Sequence, residues 1–553
     1  MHFSWLKLTL IFSKKRQFMT FKSFFLTYKN NSKYMNIKTQ KAKVLFIYPN
    51  EREMSTIPPA ITLLSQLLKD KGHQTDVFDT TFYKFDDEIS IGNVDKASEE
   101  SLQTRPVLNI DDDNLHFEKQ STDPAIDLRK KIKEYKPDLL AVSCSETTFM
   151  RGLRLISNTR DLGVKNIFGG VFPTFAPHLV MRNKDIDMLC VGEGENALVD
   201  LVDLICENKD YSKVTNLWVR KENGDIVKNS ITKPVDINKL PPVTDIGIFG
   251  EKRFYRPMGG KILKMLPVET HRGCPYTCSF CNSPSQNVLY SGSGKFFRKK
   301  SMKLIKEEIE SHIKKWKVEY IYFWADTFLA WSNNEFEEFI EMYKDIKLPF
   351  WCQTRIETIT RDKFVKLKDV GLNRITFGME HGNEKFRREV VKRNYSNKLA
   401  IELMRIPTEL DIPFSVNNII GFPGETRELA FDTIELNRQF KSDDTSCSIL
   451  VPFHGTEIRR VAEEKGYIEK DSIFTISNTS EDSVLNMPQW PKQDIINLRN
   501  TFAMYVKFPK SRWPEIKVAE TNKDVHKKLS DEFIETYWSD RDKDVKEAAK
   551  GLI

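Results

Sequence analysis

Three cysteines on one short loop constrain this chain more than any other feature. The run His271-Arg272-Gly273-Cys274-Pro275-Tyr276-Thr277-Cys278-Ser279-Phe280-Cys281 spaces them C-x-x-x-C-x-x-C. Thiolates are soft ligands that select zinc or iron–sulfur clusters. A cubane cluster is normally held by four cysteines, and no fourth stands near this loop. Three ligands leave one iron open, and an open coordination position separates a reactive metal site from a structural one. The other chemistry is zinc, with His271 as the nearest fourth ligand, although structural zinc sites draw on two separated ligand pairs. The remaining cysteines (Cys144, Cys190, Cys206, Cys352 and Cys447) are scattered singly. That is no disulfide framework, and it points to a reducing cytoplasm.

The loop sits inside a long alternation of strands and helices. Leu266-Pro267-Val268-Glu269-Thr270 reads as the strand before it, and Leu304, Ile305, Ile309, Ile313 and Trp316 share a helix face after it. Further strands are read at 318–324, 350–354, 374–380, 414–420 and 446–451, with Asp326, Arg355, Glu380 and Gly421-Phe422-Pro423-Gly424-Glu425-Thr426 at or just past their ends. Polar and glycine residues at successive strand ends are what an active site built on a barrel requires. Cys352 and Cys447 lie on these strands, where they either face the cavity or pack.

Upstream, a second alternation starts at Lys43-Val44-Leu45-Phe46-Ile47-Tyr48-Pro49, a buried parallel strand ended by proline. A helix through Leu68 to Gly72, a strand at 74–79, and strands at 138–143, 166–170 and 188–191 follow. Such alternation argues a doubly wound parallel sheet with ligand at the carboxyl ends of the strands. Residues 81–127, with Asp111-Asp112-Asp113 and His116, read as a solvated insertion without function. Asn223-Gly224 marks a hairpin, and the stretch to Leu240-Pro241-Pro242 is an extended linker.

Charge excludes some partners. The net +7 is concentrated in residues 1–35, which carry seven Lys or Arg and no acid; the remainder balances 78 against 78. A neutral body has no nucleic-acid footprint. The basic segment is either a targeting peptide, for which it lacks a cleavage site, or an extended or misassigned start ahead of Met35. No run of about 18 apolar residues marks a membrane span.

The cysteine motif, with the strand ends named above, resembles the radical S-adenosylmethionine (SAM) superfamily. Gly169-Gly170-Val171-Phe172-Pro173-Thr174 followed by Gly192-Glu193-Gly194-Glu195 resembles the cobalamin-binding domain fused to many of its members, including cobalamin-dependent methylases and the anaerobic magnesium-protoporphyrin cyclase. One departure stands out. The D-x-H-x-x-G motif that supplies a lower histidine to cobalt elsewhere is absent, and the chain reads Asn50-Glu51-Arg52-Glu53-Met54 instead. Some members of the fused family bind cobalamin without that histidine.

The resemblance implies an α/β protein in two main parts. Residues 40–212 would form a Rossmann-like cobalamin-binding domain and 262–465 a partial (β/α)6 barrel of TIM type. The basic extension 1–39, a hairpin and linker at 213–261, and a helical region at 466–553 complete the division. Cys274, Cys278 and Cys281 would hold a [4Fe–4S] cluster that cleaves SAM to a 5′-deoxyadenosyl radical. Phe280 would lie near the adenine, and Arg355 and Glu380 would hold the ribose or methionine end. Asp326 would share in binding SAM, and Gly421 and Gly424 would let the chain pass close to the nucleoside. Gly169, Gly170, Thr174, Gly192, Glu193 and Gly194 would line the cobalamin. The implied reaction is methyl transfer to an unactivated carbon of a small metabolite, with a flavodoxin or ferredoxin as reductant. The alternatives are a cobalamin-free radical cyclisation or rearrangement, and a corrinoid-binding regulatory module.

Overall fold

The computed structural model describes residues 41–50, 56–83, 102, 120, 122–258, 261–475 and 482–538. The basic N-terminal extension, the Asp111–Asp113 run with His116, and Glu51–Met54 lie outside the described residues. From Ala42 onward the chain is one compact unit built on two sheets.

The first sheet has the order β2-β1-β3-β4-β5-β6-β7. Its parallel part comprises β1 (Lys43–Tyr48), β2 (Gln74–Asp79), β3 (Leu139–Ser143), β4 (Lys165–Gly169) and β5 (Met188–Cys190). Leu45 and Ile47 bury on one face of β1, Val44 and Phe46 on the other, among two different sets of side chains. That two-sided burial is why the strand is a continuous apolar run and not an alternating one. The helix Pro59–Asp70 starts with proline at its first position, where the missing N–H costs nothing. Asp123 caps the helix Pro124–Tyr135 by accepting from Ala125 N at 2.8 Å. The hairpin of β6 (Leu217–Arg220) and β7 (Ile226–Lys228) turns at Gly224 (φ +90°) and pairs antiparallel with β5, so it widens this sheet.

The second sheet runs β16-β15-β14-β13-β12-β9-β8. Six parallel strands form it: β9 (Lys261–Glu269), β12 (Tyr320–Trp324), β13 (Phe350–Arg355), β14 (Leu372–Glu380), β15 (Phe414–Ile420) and β16 (Asp444–Ile449). An antiparallel strand, β8 (Tyr255–Met258), borders β9. This is the expected six-stranded half-barrel. Residues alternate between faces along each strand. Ile321, Phe323, Phe350, Ile375, Phe377 and Phe414 pack outward under the helices. Met265, Tyr320 and Tyr322 form a separate cluster on the inner face. The C-terminal helices Lys492–Lys507, Trp513–Ala519 and Lys523–Tyr537 bury Phe502, Ile516 and Phe533 in a core shared with Ile449 of β16.

One core group makes stability pH-dependent. His312, on the helix Met302–Trp316, is buried, and neither ring nitrogen has a hydrogen-bond partner. Burial first, then the charges of Lys300 and Lys315, push its pKa down to about 4. The unfolded chain therefore binds a proton that the folded chain refuses. The stability this reflects is complete above about pH 6.5 and is lost as pH falls towards 4, by up to about 3 kcal/mol. His312→Leu is expected to flatten that acid limb in melts taken at stepped pH. An unchanged slope would assign the acid sensitivity elsewhere.

Candidate active site

The cysteine loop leaves β10 (His271–Arg272), which pairs antiparallel with β11 (Arg298–Lys299), and ends at the helix Ser283–Leu289. Gly273 makes the turn into it at φ +81°, and a Cβ there would lie 2.6 Å from the Phe296 ring. Two neighbours pin the loop's middle. Ser279 donates from its hydroxyl to Val390 O (2.5 Å) and from its N–H to Val391 O (3.3 Å). Both acceptors belong to the π-helical turn Arg387–Val391, and such turns cluster at functional sites because they redirect carbonyls out of the helical ladder.

The three thiols have different surroundings. Cys274 Sγ lies 3.5 Å from Thr327 Oγ1, and Cys281 Sγ accepts from Ser283 N at 3.4 Å. Burial pushes the Cys281 thiol up to about 11 and raises that of Cys274. Cys278 Sγ accepts from two guanidinium groups, Arg355 Nη1 at 3.1 Å and Arg393 Nε at 3.3 Å. Buried thiols become thiolates only against positive charge, which a metal supplies outright.

Among the described residues, no three His, Cys, Asp or Glu are grouped closely enough to hold one metal ion. A cubane presents its irons at separate corners, so its ligands stand farther apart than those around one zinc. His271, the fourth ligand of the zinc reading, forms no such group with the cysteines, although its Nε2 is buried without a hydrogen-bond partner. The His271 ring is 4.8 Å from that of Trp331 and stacks on Phe297 at 5.9 Å, and its Nδ1 faces Thr270 Oγ1 at 2.9 Å. The donor set fits an iron–sulfur cluster with one iron left open.

The strand ends converge on this loop. Arg355, at the end of β13, lies over the Tyr276 ring at 3.9 Å, and its Nε donates to Glu357 at 2.7 Å. Asp326, two residues past β12, accepts from Ser283 Oγ at 2.5 Å, and burial raises its pKa. Glu380 ends β14 at φ +71°, an uncommon left-handed conformation for a side chain this large, where the ladder to β15 slips register. Its Oε1 is 3.1 Å from Arg393 Nη2. Burial raises the Glu380 pKa, against the pull of Arg393 and Arg355.

His381 and Glu425 join the next two loops. Asn383 N donates to His381 Nδ1 at 3.1 Å, so His381 Nε2 carries the proton that Glu425 Oε1 accepts, also at 3.1 Å. Phe280 meets Phe422 edge-on at 6.2 Å. Gly421 and Gly424 turn at φ +82° and +87°, and no atom lies within 4 Å of a Cβ built on Gly424.

Cys352 and Cys447 stay out of this site. Arg355 and Gln353 share the inner face of β13, so Cys352, one residue off, points into the outer core. Cys447 is likewise buried with Ile449 and Phe502. Burial holds both thiols well above their ordinary pKa.

The residues expected to line cobalamin meet at the carboxyl edge of β4 and β5. Gly170 (φ +116°) leaves its Cβ position 2.2 Å from Cys144 O, so no side chain fits there. Thr174 Oγ1 donates to Gly170 O at 2.8 Å and accepts from Gly192 N at 3.0 Å, tying the two loops together. Gly169 ends β4, and Gly194 caps the helix Glu195–Cys206. The strand order reverses between β1 and β3, the place where open α/β sheets bind ligands. Asn50, Thr80 and Thr81 stand near that point in mutual hydrogen bonds. Met150 and Val171, on the helices after β3 and β4, are each 43% exposed. Such an edge fits a corrinoid held by backbone, amide, hydroxyl and apolar groups.

Residues 268–436 match the sequence model of the radical SAM superfamily. That stretch is a radical SAM domain. Residues 110–202 match the model of the B12 binding domain. An uncharacterized methyltransferase of Pyrococcus horikoshii is 24% identical over 69% of this chain and 82% of its own length. The anaerobic magnesium-protoporphyrin IX monomethyl ester cyclase of Rubrivivax gelatinosus is 26% identical over 59% of this chain, and the match spans 58% of the cyclase. Among solved structures, the radical SAM methyltransferase TsrM of Kitasatospora setae, with cobalamin and a [4Fe–4S] cluster bound, superposes at TM-score 0.54. It is 19% identical and covers 77% of this chain and 75% of its own. The cobalamin-dependent radical enzyme OxsB reaches 0.59 at 15% identity, covering 92% and 72%. These likenesses establish the shared fold.

A radical SAM domain implies a [4Fe–4S] cluster and SAM, and the B12 domain implies cobalamin. The chain is accordingly a radical SAM enzyme. No described helix is long and apolar enough to cross a membrane. Sequence reasoning missed Arg393, which follows no recognisable motif, and the ion pairs of Arg272, whose partners are distant in sequence.

Proposed function

We propose that this enzyme transfers a methyl group to an unactivated carbon of a small-molecule metabolite, using cobalamin and a SAM-derived radical. The observation that carries this reading is the ion pairing between the corrinoid edge and the cysteine loop, Glu193 to Arg272 at 3.0 Å. It supports a reading in which the two cofactor sites lie side by side. When bound, the cluster supplies the electron that cleaves SAM, and the corrinoid supplies the methyl group.

The chain's own residues orient and enclose. Cys274, Cys278 and Cys281 hold the cluster, with Arg355 and Arg393 donating to one sulfur. Phe280 flanks the adenine; Asp326, Arg355 and Glu380 hold the polar ends of SAM; Gly421 and Gly424 let the backbone approach it. Gly169, Gly170, Thr174, Gly192 and Gly194 shape the corrinoid edge. Trp324, on the same face of β12 as Tyr320 and Tyr322, is 44% exposed at the strand's carboxyl end, which suits a substrate with an apolar surface. In this reading residues 40–212 and 262–465 act as the corrinoid and radical domains. No disulfide links the eight cysteines, in keeping with a cytoplasmic setting and a flavodoxin or ferredoxin as reductant.

The test is anaerobic reconstitution followed by metal and product analysis. About four irons and one cobalt per chain are expected, with S-adenosylhomocysteine and 5′-deoxyadenosine both formed from SAM. 5′-Deoxyadenosine without S-adenosylhomocysteine, and iron without cobalt, would transfer the assignment to a cobalamin-free radical cyclisation. The similarity to the cyclases favours the cyclisation in that second reading, and not the absence of cobalamin.

A further inference from the structure

A buried ion network joins the loop after β5 to the strand that enters the cysteine loop. Arg272 Nη1 meets Glu193 Oε1 at 3.0 Å and also pairs with Glu195, while its Nε reaches Glu269 Oε1 at 3.1 Å. Arg298, across the β10–β11 pair, donates to Glu193 Oε2 at 3.1 Å and to Glu193 Oε1. Glu193 Oε2 also accepts from Val235 N at 2.8 Å. Every side chain in the network is 16% exposed or less. The Glu193 carboxylate is fully engaged inside the protein, and its carbonyl accepts from Asn216 Nδ2 at 2.9 Å. Glu193 N is itself held by Tyr290 Oη at 2.8 Å.

We propose that Glu193 is a positioning residue that couples the two cofactor sites: it locks the corrinoid edge to Arg272, and through Arg272 to the loop of Cys274. The proposal rests on the reading that this edge takes a corrinoid and this loop a cluster. Buried ion pairs hold one geometry, because any displacement leaves a desolvated charge uncompensated. Ordering of the cysteine loop by a cluster therefore orders the Gly192–Gly194 backbone. By linkage, each cofactor tightens the other's binding by the same factor.

The test measures the dissociation constant of hydroxocobalamin for full-length protein, with its cluster and after removal of the iron. Wild type is expected to bind more tightly with the cluster, by at least about fivefold, the lower end of typical coupling. Glu193→Gln, equal in shape but uncharged, is expected to bring that ratio to one. Tyr290→Phe removes a neutral contact at the same loop and is expected to keep the ratio. Because the readout is a ratio, uniform destabilisation does not move it. If Glu193→Gln fails to fold, Arg298→Lys, which keeps the charge and loses the fork, is expected to lower the ratio instead.

Equal affinity in the two wild-type forms would overturn the coupling and leave the corrinoid reading standing. A ratio that survives Glu193→Gln, or that Tyr290→Phe also abolishes, would overturn the role of Glu193. No cobalamin binding by either form would overturn both readings.

Discussion

Cys278→Ala is expected to remove both the cluster and part of the stability of the iron-free protein, whereas Cys274→Ala and Cys281→Ala remove the cluster alone. The difference comes from what each sulfur accepts. Cys278 Sγ takes N–H groups from Arg355 and Arg393, both buried. Cys274 has the Thr327 hydroxyl and the Tyr276 backbone beside it, and Cys281 the backbone N–H and side chain of Ser283, all of them neutral. A hydrogen bond to a charged group contributes about 1.5–3 kcal/mol, and its loss leaves two like charges facing a void. Iron analysis reads the first effect. Thermal unfolding of the three iron-free variants reads the second, and three equal melting temperatures would refute it.

Arg393→Met is expected to have the next largest effect. Arg393 pairs with Glu380, donates to Gly378 O and to Cys278, and lies 5.5 Å from the Phe280 ring centroid. Without it, a buried carboxylate keeps only Arg355 as a compensating charge. Breaking a buried pair from one side costs about 3–5 kcal/mol. The sign with pH follows from Glu380. Its folded pKa lies above the unfolded value and would rise further in the variant. The folded variant then holds a proton that the unfolded chain releases, and its stability falls as pH rises from the carboxylate range towards neutrality. The variant should stand nearest wild type in acid and farthest from it at neutral pH. Its affinity for SAM should fall by about tenfold or more, the equivalent of one charged hydrogen bond. Arg393→Lys should restore the pH profile without fully restoring SAM affinity, since lysine keeps the charge and not the fork. Unaltered SAM binding in Arg393→Met would remove this residue from the site.

Much of this site was legible without coordinates. The C-x-x-x-C-x-x-C spacing needs no tertiary information, because its ligands lie within eight residues of one loop. The strands were legible because a parallel sheet buried on both faces demands unbroken apolar runs, such as Val44–Ile47. Gly170 was legible as special, though not the reason, which is the carbonyl of Cys144 occupying its Cβ position.

Other features had no local signature. Whether Cys352 faced the cavity or the helices depended on the register of β13, since a shift of one residue exchanges the two faces. Glu193 was readable as part of a glycine-rich loop, but its partners Arg272 and Arg298 lie 79 and 105 residues away. Arg393 reaches Cys278 across 115 residues.

The sequence by itself determined the strand–helix alternation and the metal-binding loop, because backbone propensity, apolar periodicity and ligand spacing act over short stretches of chain. Only the tertiary structure decided which charges compensate the thiolates and the buried carboxylates. Charge pairing acts through space, and in a buried site the partner is whichever residue the fold brings within reach.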